Sequence, residues 1–448
     1  MIWHKADKSV ILYELDAIIF CQFAAYCGVF MDIRKHILTI GQAARAAARE
    51  LAAAPATSRQ EAIEAMAEKL RQAHDDVITA NQQDMRAAEA QGADPAFCKR
   101  LLITEKIFAY MIDRLEQAAR LPDPLGIVLE GHVEPSGLEV SRVSVPLGVI
   151  GIIYEARPNV TTDAAAVALK SGNAVILRGG SEAWRTNAAL VKLMQAAIVE
   201  HGLPEAAVQM PASTDRQIVR ELLRMDRYVD VIIPRGGKSL IKAVTEKSRI
   251  PVIKHYDGIC HLYLAPDADT AMATALTVNS KCQRVEVCNA LETLLVDQAA
   301  AERLLPEIGR ALTAAGVEIR GCPRCRRILP GCKAAVAADW GAEYLDAILA
   351  IKVVDDLEAA IKHINRYGSG HTDGIVTGSL TSARRFQAMV DSASVLVNAS
   401  TRLSGGGDYG MGAVVGISTG RLHARGPVGP RELTTYQWQV YGNGHLRQ

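Results

Sequence analysis

From Gly148 onward the sequence alternates between short apolar runs and longer, Ala-rich segments. The runs GVIGIIY, AVILR and DVIIP have the length and β-branched composition of buried strands, and the segments between them have the composition of helices. Strands that alternate with helices form parallel sheets covered on both faces, because each helix carries the chain back to the same edge. The sequence therefore predicts a doubly wound α/β fold, with ligands beyond the carboxyl ends of its strands.

Other segments extend this architecture. A second alternating set, HLYLAP, LETLLVD and AILAIKVV, predicts a second α/β domain. Residues 31–120 carry apolar positions at three- and four-residue spacing, which is typical of helices. The segment IVLEGHVEPSGLEVSRVSVP alternates apolar and polar residues around Pro-Ser-Gly, which predicts a protruding β-hairpin.

Composition narrows the functional classes. The 448 residues are 49% hydrophobic and 22% charged, so the chain is long enough for two or more domains and is not disordered. The net charge of +1 shows no basic excess, which argues against a nucleic-acid partner. Nine cysteines are too sparse for a disulfide scaffold and favour a reducing, cytoplasmic location.

The first 30 residues differ from the rest of the chain. The run from Ala17 to Met31 is almost entirely apolar, but it is too short to span a bilayer. Glu14 and Asp16 precede it and no small-residue cleavage site follows, which argues against a secretory signal. Residues 1–30 are thus expected to be an extension outside the folded region; an extra packing segment and a targeting segment remain as alternatives.

Two glycine loops follow predicted strands and open predicted helices. They span residues 178–182 and 234–239, and free amides at a helix amino terminus favour a bound phosphate. The alternative is a tight turn that binds nothing. A formal G-x-G-x-x-G at Gly405, Gly407 and Gly410 is interpreted as a flexible loop, because no helix follows it.

Two groups of cysteines could carry chemistry. Cys322, Cys325 and Cys332 suggest zinc, but no fourth ligand lies nearby, so we interpret them as reduced thiols of a surface loop. Cys288 lies just before the apolar run LETLLVD, where Lys281 and Arg284 could lower its pKa and favour the nucleophilic thiolate. A buried structural thiol remains the alternative for Cys288.

Several long strings resemble one known family. VPLGVIGIIYEARPNVTTDAAAVALKSGNAVILRGGSEA, VIIPRGGKSLI, VCNALETLLVD and LHARGPVGPRELTTYQW are similar to the gamma-glutamyl phosphate reductase family, a branch of the aldehyde dehydrogenase superfamily. The resemblance runs from Met31 to Gly442. It implies an aldehyde dehydrogenase-like α/β fold with four parts: an extension at 1–30, an NADP-binding domain at 31–126 and 146–256, a catalytic domain at 257–425, and a small β oligomerisation arm at 127–145 and 426–448.

The resemblance also assigns residues to roles. It makes Cys288 the nucleophile and Asn159 the oxyanion-hole amide. It places the cofactor against Arg178, Gly179, Gly180, Ser181, Arg235, Gly236, Gly237 and Glu343. It implies NADP rather than NAD, because Ser181 stands where NAD-specific members often carry a glutamate. From their loop positions, Arg157 and Arg402 are candidates for binding the substrate carboxylate. No metal is implied.

The implied reaction is the NADPH-dependent reduction of L-glutamyl 5-phosphate to L-glutamate 5-semialdehyde through a cysteine thioester, in proline biosynthesis. Lys254 and His255 stand where hydrolytic relatives carry a general-base glutamate, which fits a phosphorylating enzyme; Lys254 could place the phosphate. Val285 and Glu286 depart from the family pattern, and Glu286 could raise the pKa of Cys288.

Two other functions are compatible with the sequence. Another acylating aldehyde dehydrogenase, acting on an acyl-CoA or an aspartyl phosphate, remains open. So does a catalytically silent homologue acting as an assembly partner. The resemblance implies a small-molecule substrate and a homo-oligomer, with possible association with glutamate 5-kinase and no membrane partner.

Overall fold

The computed structural model describes residues 32–447, so the predicted extension at 1–30 lies outside the described residues. Five helices come first, as the three- and four-residue spacing predicts. Ile63, Met66 and Leu70 share one fully buried face of the second helix. The helices are α1 (Ile33–Ala53), α2 (Ala56–Gln72), α3 (His74–Ala90), α4 (Pro95–Leu101) and α5 (Glu105–Arg120).

A four-stranded parallel sheet with the order β5-β4-β3-β6 follows the helices and a hairpin. Its strands are β3 (Val149–Tyr154), β4 (Ala174–Arg178), β5 (Val208–Gln209) and β6 (Val231–Arg235). The helices between and after them are α6 (Asn159–Lys170), α7 (Trp184–Glu200), α8 (Arg216–Leu222) and α9 (Lys238–Lys247). The strand order reverses between β3 and β6, and a crevice for a ligand forms at such a point.

A seven-stranded sheet, also entirely parallel, has the order β10-β9-β11-β8-β7-β12-β13. Its strands are β7 (Cys260–Leu264), β8 (Leu291–Asp297), β9 (Glu318–Gly321), β10 (Lys333–Ala334), β11 (Ile348–Val354), β12 (Thr372–Val376) and β13 (Ser394–Val397). Its helices are α10 (Thr270–Cys282), α11 (Gln298–Ala314), α12 (Pro323–Ile328), α13 (Leu357–Tyr367) and α14 (Leu380–Met389). The doubly wound α/β fold is confirmed.

A small antiparallel sheet joins the predicted hairpin to the end of the chain. Strands β1 (Val128–Val133) and β2 (Glu139–Pro146) form the hairpin, and β16 (Thr434–Tyr441) pairs with β2 along its whole length. Every residue of β1 is exposed. A separate two-stranded ribbon is made by β14 (Gly416–Ser418) and β15 (Gly426–Val428). Among the helices of residues 32–447, none is both long and apolar enough to cross a membrane.

Candidate active site

Three functional residues lie at the amino-terminal edge of the seven-stranded sheet. Gly258 precedes β7, Cys288 precedes β8 and His371 directly precedes β12. These strands are neighbours in the order β8-β7-β12, so the three loops that lead into them lie side by side. The thiol of Cys288 therefore lies beside two other loops of the same sheet edge.

The backbone around Cys288 is tightly fixed. A Cβ at Gly258 would lie 1.8 Å from the carbonyl oxygen of Cys288, so only glycine allows this close approach. The Cys260 thiol donates to the same carbonyl at 3.3 Å. The amide of Gly258 donates to the Glu343 carboxylate at 2.8 Å. Together these contacts hold the main chain beside the half-buried thiol of Cys288.

Charges of both signs act on Cys288. Burial raises the pKa of its thiol, Arg235 opposes that rise, and Glu343 adds to it. The prediction that Lys281 lowers this pKa is wrong, because its ammonium is fully buried and bonds the carboxylate of Glu292 at 2.7 Å. The carboxylate that raises the pKa of Cys288 through its charge is Glu343, from the loop before β11.

Arg284 and Glu286, the other charged residues near the thiol in sequence, form their own pair. The Nε of Arg284 donates to the Glu286 carboxylate at 3.2 Å, and both side chains are more than half exposed. A salt bridge this exposed contributes little to stability, because water screens both charges. The carboxylate of Glu286 is nonetheless paired with Arg284.

Two histidines accompany Cys288. One nitrogen of His255, one nitrogen of His371 and the sulfur of Cys288 all lie within 4.8 Å of one another. The two imidazole rings meet edge to face, with centroids 5.6 Å apart. Burial lowers the pKa of His255, and burial lowers the pKa of His371 to about 3, so both rings are neutral at neutral pH. The sequence analysis named His255 but missed His371.

Arginines make the neighbourhood of Cys288 electropositive. Arg157 lies on the loop after β3, where partial removal of its guanidinium from water, followed by the charges of Arg235 and Arg284, lowers its pKa. Burial, followed by the charge of Arg284, also lowers the pKa of Arg402. Arg402 in turn lowers the pKa of Cys288. Arg235, predicted as a cofactor contact, thus acts on the thiol itself.

The ammonium of Lys254 is bound by a neighbouring tyrosine. Its ammonium donates to the hydroxyl of Tyr256 at 2.8 Å and lies over the Tyr256 ring. This bond holds the ammonium of Lys254 beside Tyr256. The placing of the phosphate by Lys254 stays a prediction.

Asn159 is the first residue of α6, directly after the loop that leaves β3. It is half-buried, and its side-chain amide makes one long hydrogen bond, at 3.4 Å, to Asp163 one turn further on. Burial raises the pKa of Asp163 to about 6. The amide of Asn159 is thus held only weakly by the protein and remains able to donate to a ligand.

The crevice between β3 and β6 has the features of a phosphate site. Gly237 caps α9, and its amide donates to the carboxylate of Glu155 at 3.0 Å. A Cβ at Gly236 would lie 2.7 Å from that same carboxylate. The carboxylate of Glu155 thus accepts from an amide that a dinucleotide phosphate would use. Because the loop already binds one anion, it fits a phosphate group.

Hydrogen bonds from a buried arginine hold the loop after β4 in place. Arg178 is buried, and its guanidinium donates to the carbonyl of Gly179 and, at 2.9 Å, to that of Thr214. Arg178 therefore fixes the loop from beneath, and its Nε is buried without a hydrogen-bond partner. Ser181 is exposed, whereas Glu182 turns back to accept from the amide of Ala156 at 2.9 Å.

A cleft of about 210 Å³ opens beyond the carboxyl ends of β4 and β5. Its walls come from α7 and from the segment after β5, and they include Trp184, Val191, Lys192, Met210 and Pro211. The flat, mostly apolar lining suits an adenine ring. These residues were not predicted from the sequence. A tryptophan just after the glycine loop was the one local feature that could have indicated a binding cleft.

The remaining sequence motifs do not join the site. Gly405, Gly407 and Gly410 lie in irregular structure, as expected. The three clustered cysteines are free thiols, but the surface-loop interpretation is wrong for two of them. Cys322 and Cys325 are buried at helix α12, where the sulfur of Cys322 accepts from the amide of Val353 at 3.3 Å.

Comparison with known proteins identifies the family to which this pair of parallel sheets belongs. Residues 27–319 match the aldehyde dehydrogenase family. An acetylating aldehyde dehydrogenase from Geobacillus thermoglucosidasius superposes with a TM-score of 0.64 over 93% of this chain and 99% of that one. At 17% identity it supports the fold alone.

Nearer relatives define the branch. The gamma-glutamyl phosphate reductase of Moorella thermoacetica is 50% identical over 418 residues, 93% of this chain and 100% of that protein. The crystal structure of gamma-glutamyl phosphate reductase from Thermotoga maritima superposes with a TM-score of 0.90 at 42% identity, covering 92% of this chain and 100% of that one. The chain therefore belongs to the aldehyde dehydrogenase family and, within it, to the gamma-glutamyl phosphate reductases.

Proposed function

We propose that this enzyme reduces L-glutamyl 5-phosphate to L-glutamate 5-semialdehyde and phosphate with NADPH, in the biosynthesis of proline. The observation that carries the proposal is the thiol of Cys288 with arginine charges close around it, in a chain half identical to a gamma-glutamyl phosphate reductase. The substrate carries a phosphate and a carboxylate, so the positive charges of Arg235 and Arg402 near Cys288 would attract it.

The first step is attack by the Cys288 thiolate on the acyl carbon. The carbon–sulfur bond forms as the carbon–oxygen bond to phosphate breaks, and phosphate leaves with the bonding pair. Burial keeps the thiol mostly protonated in the free enzyme. Arg235 and Arg402 lower the energy of the thiolate and of the departing anion, so the same charges assist both halves of the exchange.

The negative charge that develops on the acyl oxygen needs donors. Asn159 at the amino end of α6 and the backbone amide of Cys288 are the proposed pair. Removing one such donor typically costs roughly 3 kcal/mol of barrier, or about a hundredfold in rate. The weak bond between Asn159 and Asp163 leaves its amide free to turn toward the substrate.

NADPH, when bound, supplies the hydride that reduces the thioester. The amides at Gly236 and Gly237 would bind its pyrophosphate once Glu155 turns away, and the cleft beside Trp184 would hold the adenine. Ser181 would contact the 2′-phosphate, with Arg178 supporting the loop beneath it. Glu182, the acid that could repel that phosphate, is held by the amide of Ala156. Glu343 lies near the nicotinamide end and also positions Gly258.

The thioester has to survive until the hydride arrives. His255 lies beside Cys288 where hydrolytic relatives carry a glutamate, and its Nδ1–H donates to the carbonyl of Ile417 at 3.2 Å. The neutral ring is a weaker base than a glutamate tuned for that role. The site therefore reduces the acyl group rather than hydrolysing it, and the semialdehyde leaves to cyclise.

The reverse reaction tests the acyl donor. Pyrroline-5-carboxylate and NADP should give NADPH with phosphate as the acceptor, whereas coenzyme A should not replace phosphate. Preference for coenzyme A would favour the acylating aldehyde dehydrogenase alternative. A silent homologue would give neither reaction, and its Cys288 would resist alkylation under conditions that modify other half-buried thiols.

The small antiparallel sheet is the proposed contact between subunits of a homo-oligomer. Val128, Val133, Trp438 and Tyr441 are each at least half exposed there, an apolar surface that self-association would bury. Light scattering of the wild type and of Trp438→Glu would test it, with a smaller particle expected for the variant. Cytoplasmic location and a complex with glutamate 5-kinase belong to the same proposal.

A further inference from the structure

Cys288, His255 and His371 offer three potential metal ligands, and thioester chemistry uses only the thiol as a nucleophile. Each residue offers one ligand atom, and the three atoms lie within 4.8 Å of one another. In a tetrahedral zinc site, bond lengths of about 2.0–2.3 Å place ligand atoms roughly 3.3–3.7 Å apart. Small side-chain rotations would bring this cluster to that spacing.

Hydrogen bonds fix the tautomer of His371. The hydroxyl of Ser404 donates to the carbonyl of Thr401 at 3.0 Å, and the hydroxyl of Thr372 donates to Ser404 at 2.8 Å. With its only proton committed, the oxygen of Thr372 accepts from Nδ1–H of His371 at 2.8 Å. The lone pair of His371 is therefore on Nε2, which is buried and without a hydrogen-bond partner in a side chain that is 1% exposed.

The same logic fixes His255. Its Nδ1 faces the carbonyl of Ile417, which can only accept, so Nδ1 carries the proton and Nε2 carries the lone pair. Histidines that bind metals usually donate their other N–H to a carbonyl or a comparable acceptor, which sets the ring for ligation. Both histidines here have such an acceptor.

We propose that Cys288, His255 and His371 form a reversible zinc site that blocks the nucleophile. One sulfur and two imidazole nitrogens suit Zn²⁺, with a water completing the tetrahedron, and do not suit Mg²⁺, which requires oxygen ligands. As the sulfur–zinc bond forms, the thiol proton passes to solvent. Zinc is an inhibitor in this account and not a cofactor, consistent with a reaction that needs no metal.

Alkylation of the wild-type chain is the first test. Zn²⁺ should slow the reaction of Cys288 with iodoacetamide about tenfold or more, because the bound thiolate is no longer free. Peptide mass spectrometry would follow Cys98 as the matched half-buried control, whose rate should not change. Mg²⁺ at the same concentration should leave Cys288 as reactive as before. Unchanged alkylation of Cys288 in zinc would overturn the proposal.

Calorimetric titration with Zn²⁺ is the second test. Binding should disappear in Cys288→Ala and persist in Cys332→Ala, which removes a thiol from the other cysteine cluster. Thr372→Val should weaken zinc roughly tenfold by removing the partner of His371, and Thr372→Ser should restore it. Loss of binding in Cys332→Ala with retention in Cys288→Ala would place the metal elsewhere and overturn the inference.

Inhibition of turnover rests on the proposed function, but zinc binding does not. A chain that lacks reductase activity and still shows zinc protection of Cys288 would refute the proposed function alone. An active enzyme whose Cys288 is unprotected by zinc would refute this inference alone.

Discussion

The two parallel sheets differ in what they bury. In the four-stranded sheet every residue of β3 is buried, and apolar side chains dominate it. The seven-stranded sheet and its helices bury polar groups: Lys281 of α10 pairs with Glu292, and the ring of His261 hydrogen-bonds Asp373, all with fully buried side chains. Apolar runs alone therefore predict the first sheet. In the second sheet, charged residues such as Glu292 would be predicted at the surface from their type, but they are buried.

The sheets also use opposite edges. Gly236 and Gly237 follow a strand, so the proposed cofactor loops lie at the carboxyl edge, where doubly wound sheets bind ligands. Cys288 and His371 instead precede strands, at the amino edge of the second sheet. The proposed active site draws on both edges, since the charge of Arg235 at the end of β6 acts on the thiol of Cys288, so a rule drawn from one sheet does not locate the residues of the other.

The largest expected effect belongs to the second sheet's edge. Cys288→Ala should abolish turnover and leave NADPH affinity within a few-fold, because the thiol contacts the acyl group and not the dinucleotide. Steady-state kinetics and a fluorescence titration measure the two quantities. Cys282→Ala, a half-buried thiol on α10, is the matched control and should stay active. A tenth of the wild-type rate in Cys288→Ala would refute the nucleophile assignment.

The buried charges give the next largest effect. Lys281→Met should lower the free energy of unfolding by about 3–5 kcal/mol in alkaline buffer, where Glu292 would be left as an uncompensated buried charge. Burial raises the pKa of Glu292 to about 7 even with Lys281 opposing the rise, so in the variant the carboxyl protonates more readily and the loss should shrink as pH falls. Urea unfolding at alkaline and mildly acidic pH measures this.

Ile152→Ala in the first sheet is the contrasting variant. It should cost about 2–5 kcal/mol through lost packing, with no comparable dependence on pH. Equal pH dependence in the two variants would remove the distinction between the sheets. The double variant Lys281→Met with Glu292→Leu should recover much of the stability lost by Lys281→Met.

Asn159→Ala tests the loop contributed by the first sheet. Loss of one oxyanion donor should lower kcat about a hundredfold, or roughly 3 kcal/mol, with a small change in KM. Thr162→Ala, on the same helix and buried, is the control. A change confined to KM would indicate that Asn159 binds the ground state only.

Cofactor choice should respond to the loop after β4. Ser181→Glu should erase the preference for NADPH over NADH, a change of about ten- to a hundredfold, because a carboxylate repels the 2′-phosphate. Ser213→Glu, on a neighbouring loop, serves as the charge-matched control. Equal use of both cofactors by the wild type would contradict the proposed contact.

The smallest effect is expected at the start of the chain. A protein beginning at Met31 should fold and keep full specific activity, because the family resemblance starts there. Circular dichroism and the reductase assay check this. An insoluble product would favour the alternative that residues 1–30 pack against the rest.

Prediction from sequence succeeded where local signals are strong. Apolar spacing located the helices through α5, and both glycine loops lie between a strand and a helix, as predicted. It missed His371 because β12, with the sequence TDGIV, carries an aspartate and a glycine that do not suggest a buried strand. It misjudged Lys281 because burial and pairing with Glu292 depend on a tertiary contact.

Phosphate dependence is the most direct test of the central claim, a thioester on Cys288 that exchanges with phosphate. Wild-type enzyme is mixed with NADP and pyrroline-5-carboxylate in phosphate-free buffer. We expect a single burst of NADPH stoichiometric with the chain, acylation of Cys288 detectable by mass spectrometry, and steady turnover only when phosphate is added. Steady NADPH formation without phosphate would show that water resolves the thioester, which contradicts the account.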